Sequence, residues 1–208
     1  MPVTRDTVMD WMRRFAGEME EHRQELVRLD TAIGDGDHGT NMDRGMRKAL
    51  EKLDASEQAD PGAVLKTVAM ALVSSVGGAA GPLYGTLFLQ MGGAMAGQEE
   101  VDLAGYVAAW QKGLDGVKAR GKAVPGDKTM VDALTPAVAA MEEADELDGA
   151  LQAAAEAAET GMKDTIPMIA RRGRASYLGE RSKDHQDPGA TSTYYLYQCA
   201  AEALAGTG

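Results

Sequence analysis

Three aspartates, Asp30, Asp35 and Asp37, fall within one short stretch, Leu29-Asp30-Thr31-Ala32-Ile33-Gly34-Asp35-Gly36-Asp37-His38-Gly39-Thr40-Asn41. Carboxylates this close repel one another. At a spacing of two, Asp35 and Asp37 point to the same side of an extended segment, so the loop calls for a cation between them. A calcium EF-hand fails on inspection. Counted from Asp35, the sixth position is Thr40 where that loop needs Gly, and the twelfth is Met46 where it needs Glu. Counting from Asp30 fails too. Magnesium takes one or two carboxylates plus waters and substrate phosphates, which suits a sparse set of aspartates running into a helix N-terminus at His38-Gly39-Thr40-Asn41. A solvated Asp-Gly turn is the alternative reading; it suffices for an isolated pair, and three aspartates running into a helix start favour the metal over it.

Three further stretches share the same character. Ser74-Ser75-Val76-Gly77-Gly78-Ala79-Ala80-Gly81-Pro82 is a glycine loop whose backbone N–H groups can approach a phosphate, with proline opening the next helix. It is neither a P-loop, because no Gly-Lys-Ser/Thr follows, nor a dinucleotide fingerprint, because no strand precedes it. A tight interhelical turn accounts for it equally well. Arg120-Gly121-Lys122-Ala123-Val124-Pro125-Gly126-Asp127-Lys128-Thr129-Met130 reads in isolation as a Pro-Gly turn with solvated lysines. From Arg171 to Ser192 the chain gathers Arg171, Arg172, Arg174 and Arg181 before Asp187-Pro188, a set able to hold phosphate oxygens bidentately. Arg171 and Arg172 are also explained as complements to a helix C-terminus; Arg174 and Arg181 are not.

The elements that must position these loops are helices. From the N-cap Thr4, apolar residues recur at three-and-four spacing through Val27, predicting one long first helix. A second carries Met42, Met46, Leu50 and Leu53; a third opens at Asp60-Pro61 and ends near Val76; a fourth starts at Pro82; a fifth is capped by Asp102. A sixth runs from Thr129 to about Ala144 with a kink at Pro136, a seventh from Asp148 to about Arg172, and an eighth from Asp187-Pro188. No run alternates in the manner of a strand. The expected fold is all-α: a single domain over residues 1–208, an antiparallel eight-helix barrel or bundle. The loops after helices one, three, five and seven then share one rim, and the four stretches above are those loops.

Composition bounds the partners. The chain has 208 residues, with 21 Lys and Arg against 32 Asp and Glu, for a formal charge of −11. Such a field repels nucleic acid, and a phosphorylated small ligand needs a metal or a local basic cluster to approach. The lone Cys199 forms no internal disulfide, no signal sequence follows Met1, and no stretch is long and apolar enough for a bilayer. These features predict a cytoplasmic protein without a membrane partner. His22 reads as a partly exposed helix residue, Cys199 and the methionines as core.

In chain order, Gly34-Asp35-Gly36-Asp37-His38-Gly39, Ser74-Ser75-Val76-Gly77-Gly78-Ala79, Gly81-Pro82-Leu83-Tyr84-Gly85-Thr86, Pro125-Gly126-Asp127-Lys128-Thr129-Met130, Gly173-Arg174-Ala175-Ser176-Tyr177-Leu178-Gly179-Glu180-Arg181 and His185-Gln186-Asp187-Pro188-Gly189-Ala190-Thr191-Ser192 resemble the nucleotide-binding subunits of dihydroxyacetone kinases. The resemblance covers nearly the whole chain. It implies an eight-helix barrel holding ADP or ATP at one rim with two Mg2+ ions. Asp30, Asp35 and Asp37 would be the metal ligands. His38, Thr40, Asn41, Ala79 and Ala80 would line the phosphates, Gly121 and Met130 the adenine, and Arg174 with Asp187, Pro188 and Gly189 would complete the site. Position 80 departs from the family, which commonly has a hydroxyl residue there; a hydrogen bond worth on the order of 1 kcal/mol is missing. A fatty-acid kinase component of the same fold resembles the chain less, since its loop has Thr where His38 stands.

The resemblance further implies a phosphoryl relay. A phosphohistidine of a phosphotransferase-system protein would rephosphorylate bound ADP, and the ATP would serve dihydroxyacetone on a partner subunit, since no substrate-binding half is expected on this chain. No residue reads as a general base or covalent nucleophile. An exchangeable ATP-binding kinase subunit, a nucleotide-sensing regulatory module and a homodimer stay open on sequence alone.

Overall fold

The computed structural model describes residues 2–204, and within them every long element is an α-helix. The order is α1 (Arg5–Glu21), α2 (Arg23–Ile33), α3 (His38–Asp54), α4 (Pro61–Ser75), α5 (Ala80–Ala94), α6 (Leu103–Gly121), α7 (Met130–Glu142), α8 (Leu147–Asp164) and α9 (Pro188–Leu204), with a 3-10 segment at Arg174–Ser182. Each helix packs on the next and α9 returns to α1, closing the ring. One contiguous core runs through it, from Val8, Trp11 and Phe15 on α1 to Leu196 and Ala200 on α9. Trp11 Nε1 on α1 donates to the Leu196 carbonyl of α9 at 2.9 Å, a buried hydrogen bond across the seam between first and last helices, and Trp110 of α6 stacks on Tyr197 of α9 with ring centroids 4.2 Å apart.

The caps fall where the side chains demand. Thr4 and Thr129 form capping boxes on α1 and α7, Asp60 accepts from Ala63 N, and Asp102 from Gly105 N. Four details correct the sequence-based expectation. The first helix is two, broken at His22, whose backbone leaves the helical region and whose ring stacks on Tyr195 at 4.4 Å. The fourth helix begins at Ala80, two residues before Pro82. The seventh stops at Asp164, not Arg172: Thr165 Oγ1 bonds back to the Met162 carbonyl, and Pro167 cannot continue the ladder. Arg171 and Arg172 therefore complement no helix end. Finally, a two-residue antiparallel pair, β1 (Val3–Thr4) and β2 (Glu100–Val101), clasps the start of the chain to the α5–α6 connection. Pro136 lies inside α7 and frees the Asp132 carbonyl, against which α8 packs through Gly161, where a Cβ would collide with that oxygen.

Candidate functional site

The connections α2–α3, α4–α5, α6–α7 and α8–α9 gather at one rim around a cavity of about 330 Å³, within the range of small-molecule sites. Asp30, the last buried polar residue of α2, organises the first loop. Its Oδ2 accepts from the backbone N–H of Asp37 at 2.8 Å and of His38 at 3.1 Å, capping α3 from a distance. Gly34 passes so close that a Cβ would strike Asp30 Oδ1, and Gly36 turns the chain at φ +76°. Asp30, Asp35 and Asp37 thereby bring one carboxylate oxygen each within 4.8 Å of one another, the only such acidic group among the described residues. Hard oxygen donors so spaced suit a magnesium-type cation.

Opposite stands the N-terminus of α5. Ala79 is its N-cap and offers no side-chain hydrogen bond, and Gly78 enters it at φ +66°, so the first amides of α5 are left open to the cavity. From the fourth loop, Arg174 reaches across to Asp35, Nη2 to Oδ2 3.0 Å. One stretch of the remaining wall is apolar, formed by Leu83, Val117, Gly121 and Met130 with Gly189 beside Met130. A planar apolar group has room there, and an anion has room between the aspartates and α5.

His38, Ala79, Ala80, Gly121, Met130, Arg174, Asp187, Pro188 and Gly189 all line this cavity with the three aspartates. Thr40 and Asn41 do not. Thr40 is exposed in the first turn of α3, and Asn41 is buried behind the glycine loop, its Oδ1 held by Arg44 at 2.7 Å.

Several side chains here have partners that the sequence does not signal. His38 Nε2 bonds to Ser192 Oγ at 2.9 Å; Ser192 in turn meets Tyr84 OH at 2.7 Å, and Tyr84 OH also meets Thr193 Oγ1 at 3.1 Å. Burial pushes the imidazole below its ordinary value against the pull of Asp30 and Asp37, keeping it neutral at pH 7, and raises the Tyr84 phenol to about 12. Asp187 caps α9 by accepting from Ala190 N at 2.7 Å, yet burial raises its carboxyl to about 7. Asp132 receives the amides of Gly126 and Thr129, and Asp127 pairs with Arg172 at 3.3 Å. Lys128, expected in solvent, is 1% exposed. Cys199 is buried with its thiol pushed up, as a core residue should be. No helix among the described residues is long and apolar enough to cross a membrane.

Residues 32–202 match the family model of the DAK2 domain. The chain is 44% identical to the Escherichia coli K12 protein named PEP-dependent dihydroxyacetone kinase, ADP-binding subunit DhaL, over 98% of this chain and 99% of that one. It is 39% identical to a Lactococcus lactis protein named PTS-dependent dihydroxyacetone kinase, ADP-binding subunit DhaL, over 98% and 100%. Among solved structures, the dihydroxyacetone kinase of C. freundii in complex with AMP-PNP and Mg2+ superposes with a TM-score of 0.75 at 26% identity, over 97% of this chain and 34% of that one. With the barrel, the rim loops and these likenesses in agreement, the chain belongs to the DAK2 domain family.

Proposed function

We propose that this chain is the ADP-holding subunit of a phosphoenolpyruvate-dependent dihydroxyacetone kinase, binding Mg2+ and ADP at the rim. The observation that carries the reading is the meeting of three carboxylates with the open N-terminus of α5 and the guanidinium of Arg174 around one cavity. The donor set fits the metal: all ligands are hard oxygens, and Asp35 already holds a cationic group. Asp30, Asp35 and Asp37 would hold two Mg2+, and the amides at Ala79 and Ala80 with His38 would meet the phosphates. Gly121 and Met130 would flank the base, while Arg174 and the Asp187–Gly189 turn close the far side. Thr40 and Asn41 would join only through the backbone at the start of α3. When bound, the nucleotide carries the phosphoryl group and magnesium neutralises it; the protein positions charge and excludes water, the main tasks of a phosphoryl-transfer site.

The names of the Escherichia coli and Lactococcus relatives, PEP-dependent and PTS-dependent, support a partner subunit and a phosphotransferase-system donor, which would carry the phosphoryl group on a histidine. Retained ADP would then be rephosphorylated in place. Ala80 favours a second reading, an exchangeable ATP site, because the hydroxyl common at that position is missing. Mixing the protein with a dihydroxyacetone-binding subunit and a phosphorylated donor separates the two. Sustained product at substoichiometric nucleotide is expected; turnover that needs excess ATP and ignores the donor overturns the relay. Binding itself is tested by melting: saturating ADP with magnesium at about 100 Kd adds roughly 2.7 kcal/mol, and equal stabilisation in a chelator overturns the metal bridge.

A further inference from the structure

Lys128 sits in the α6–α7 loop with its ammonium enclosed by backbone oxygens instead of water or a carboxylate. Nζ donates to the carbonyls of Thr165 at 2.7 Å, Met168 at 3.2 Å and Ile166 at 3.4 Å, and also to the carbonyl of His185. These oxygens come from both stems of the α8–α9 connection: residues 165–168 leave α8, and His185 returns toward α9. Beyond α8 the stem contains Pro167 and has no continuous helical ladder: the Thr165 carbonyl takes one turn bond from Met168 N at 3.1 Å and the Ile166 carbonyl one from Asp184 N, and each keeps a second lone pair for the ammonium. A buried ammonium likewise needs acceptors on its protons. Each supplies what the other lacks.

The residue before Lys128 grips the same connection. The Asp127 carbonyl accepts from Arg171 N at 3.0 Å and its carboxylate pairs with Arg172, two residues before Arg174. Lys128 itself stands at φ 62°, a left-handed conformation that a lysine rarely adopts and that only surrounding contacts maintain. The stems are further tied by Asp184 N to the Ile166 carbonyl at 2.8 Å and Asp187 N to Thr165 Oγ1 at 3.0 Å.

We propose that Lys128 is a positioning residue, whose ammonium clamps the two stems of residues 165–187 and so sets where Arg174 and Asp187–Gly189 stand around the cavity. A planar guanidinium cannot direct donors to carbonyls converging on one point, so arginine should not replace it. Four oxygens around one cation form a cage that a small free ammonium ion can re-enter once the side chain is shortened.

The test is amide hydrogen exchange on the full chain, wild type against Lys128→Met, Lys128→Arg and Lys128→Ala, without nucleotide. Exchange in residues 165–187 should quicken at least tenfold in all three while α1 to α6 keep their protection, and propylammonium chloride should restore Lys128→Ala but not Lys128→Met, whose side chain fills the space. Unchanged protection of the connection overturns the proposal, as does an equal loss across every helix, which would make Lys128 a support of the whole fold. On wild-type protein, a lysine Nζ proton resonance protected from solvent and absent in Lys128→Arg supports the cage; its absence from wild type overturns it. The consequence for ligand rests on the proposed function: Kd for ADP with magnesium chloride should rise at least tenfold in Lys128→Ala and recover with propylammonium. Failure of wild type to bind ADP would count against that function and leave the exchange result standing.

Discussion

Arg174 Nη2 lies 3.0 Å from Asp35 Oδ2, so the last rim loop is tied to the first across the mouth of the cavity. The guanidinium occupies the place of a cation beside a carboxylate that the sequence already marks as cation-seeking. Both side chains are substantially solvated, at 66% and 35% exposure, and such pairs contribute about 1 kcal/mol or less to stability.

Arg174→Ala should therefore leave the melting temperature in chelator within about 4 °C of wild type. Its Kd for ADP with magnesium should nevertheless rise roughly tenfold or more, through loss of a charge-assisted contact. Calorimetric titration beside thermal melts checks both; unaltered affinity would remove Arg174 from the nucleotide site.

The aspartates should not be equivalent. Asp30 holds two backbone amides of the first loop, whereas Asp35 touches Arg174. Without ligands, Asp30→Ala should cost about 1 to 3 kcal/mol by leaving those amides unpaired, and Asp35→Ala less than about 1 kcal/mol. Both should abolish magnesium-dependent stabilisation by ADP. Urea unfolding in chelator, repeated with ADP and magnesium, separates the two roles, and equal cost in chelator would contradict the assignment.

Ala80→Ser places a hydroxyl at the start of α5, where no side chain caps the helix. A gain of about 1 kcal/mol in nucleotide affinity, or roughly fivefold, is expected. Dissociation of a fluorescent ADP analogue should slow in proportion, and no change would detach position 80 from the phosphates.

Asp187 gives a pH signature. Its folded carboxyl titrates at about 7 against an ordinary 3.8, because burial penalises the charge. Between those values the folded state binds more protons than the unfolded state, so stability falls as pH rises from about 4 to about 7, by at most about 1.4 kcal/mol per pH unit. Asp187→Asn keeps an acceptor oxygen for Ala190 N and removes the titration, and should flatten that slope. Urea midpoints from pH 4.5 to 7.5 without nucleotide provide the check; an unchanged slope would assign the pH dependence elsewhere.

The helices and their starts were legible because caps are local: Thr4, Asp60, Asp102, Thr129 and Asp187 each act within three residues. The break at His22 was not, since no Gly or Pro marks it and its partner Tyr195 lies on α9. The end of α8 carried a signal, Pro167, that its alanine-rich run outweighed. Most of the candidate cavity followed from the four rim loops, yet Lys128 read as solvated because a lysine in a Pro-Gly turn looks the same whether it faces water or carbonyls. Tyr84, Ser192 and Thr193 were invisible as a group, being joined only through contacts spanning more than a hundred residues.

The link from His38 to Ser192 spans 154 positions of the chain. A polypeptide synthesised as far as α8 would possess all three aspartates and the glycine loop, and still lack the wall supplied by Arg174, Asp187 and α9. Order at the mouth therefore arrives with contacts of large sequence separation, the kind that slows folding. On the proposed function, a chain lacking those closing contacts would hold nucleotide only weakly.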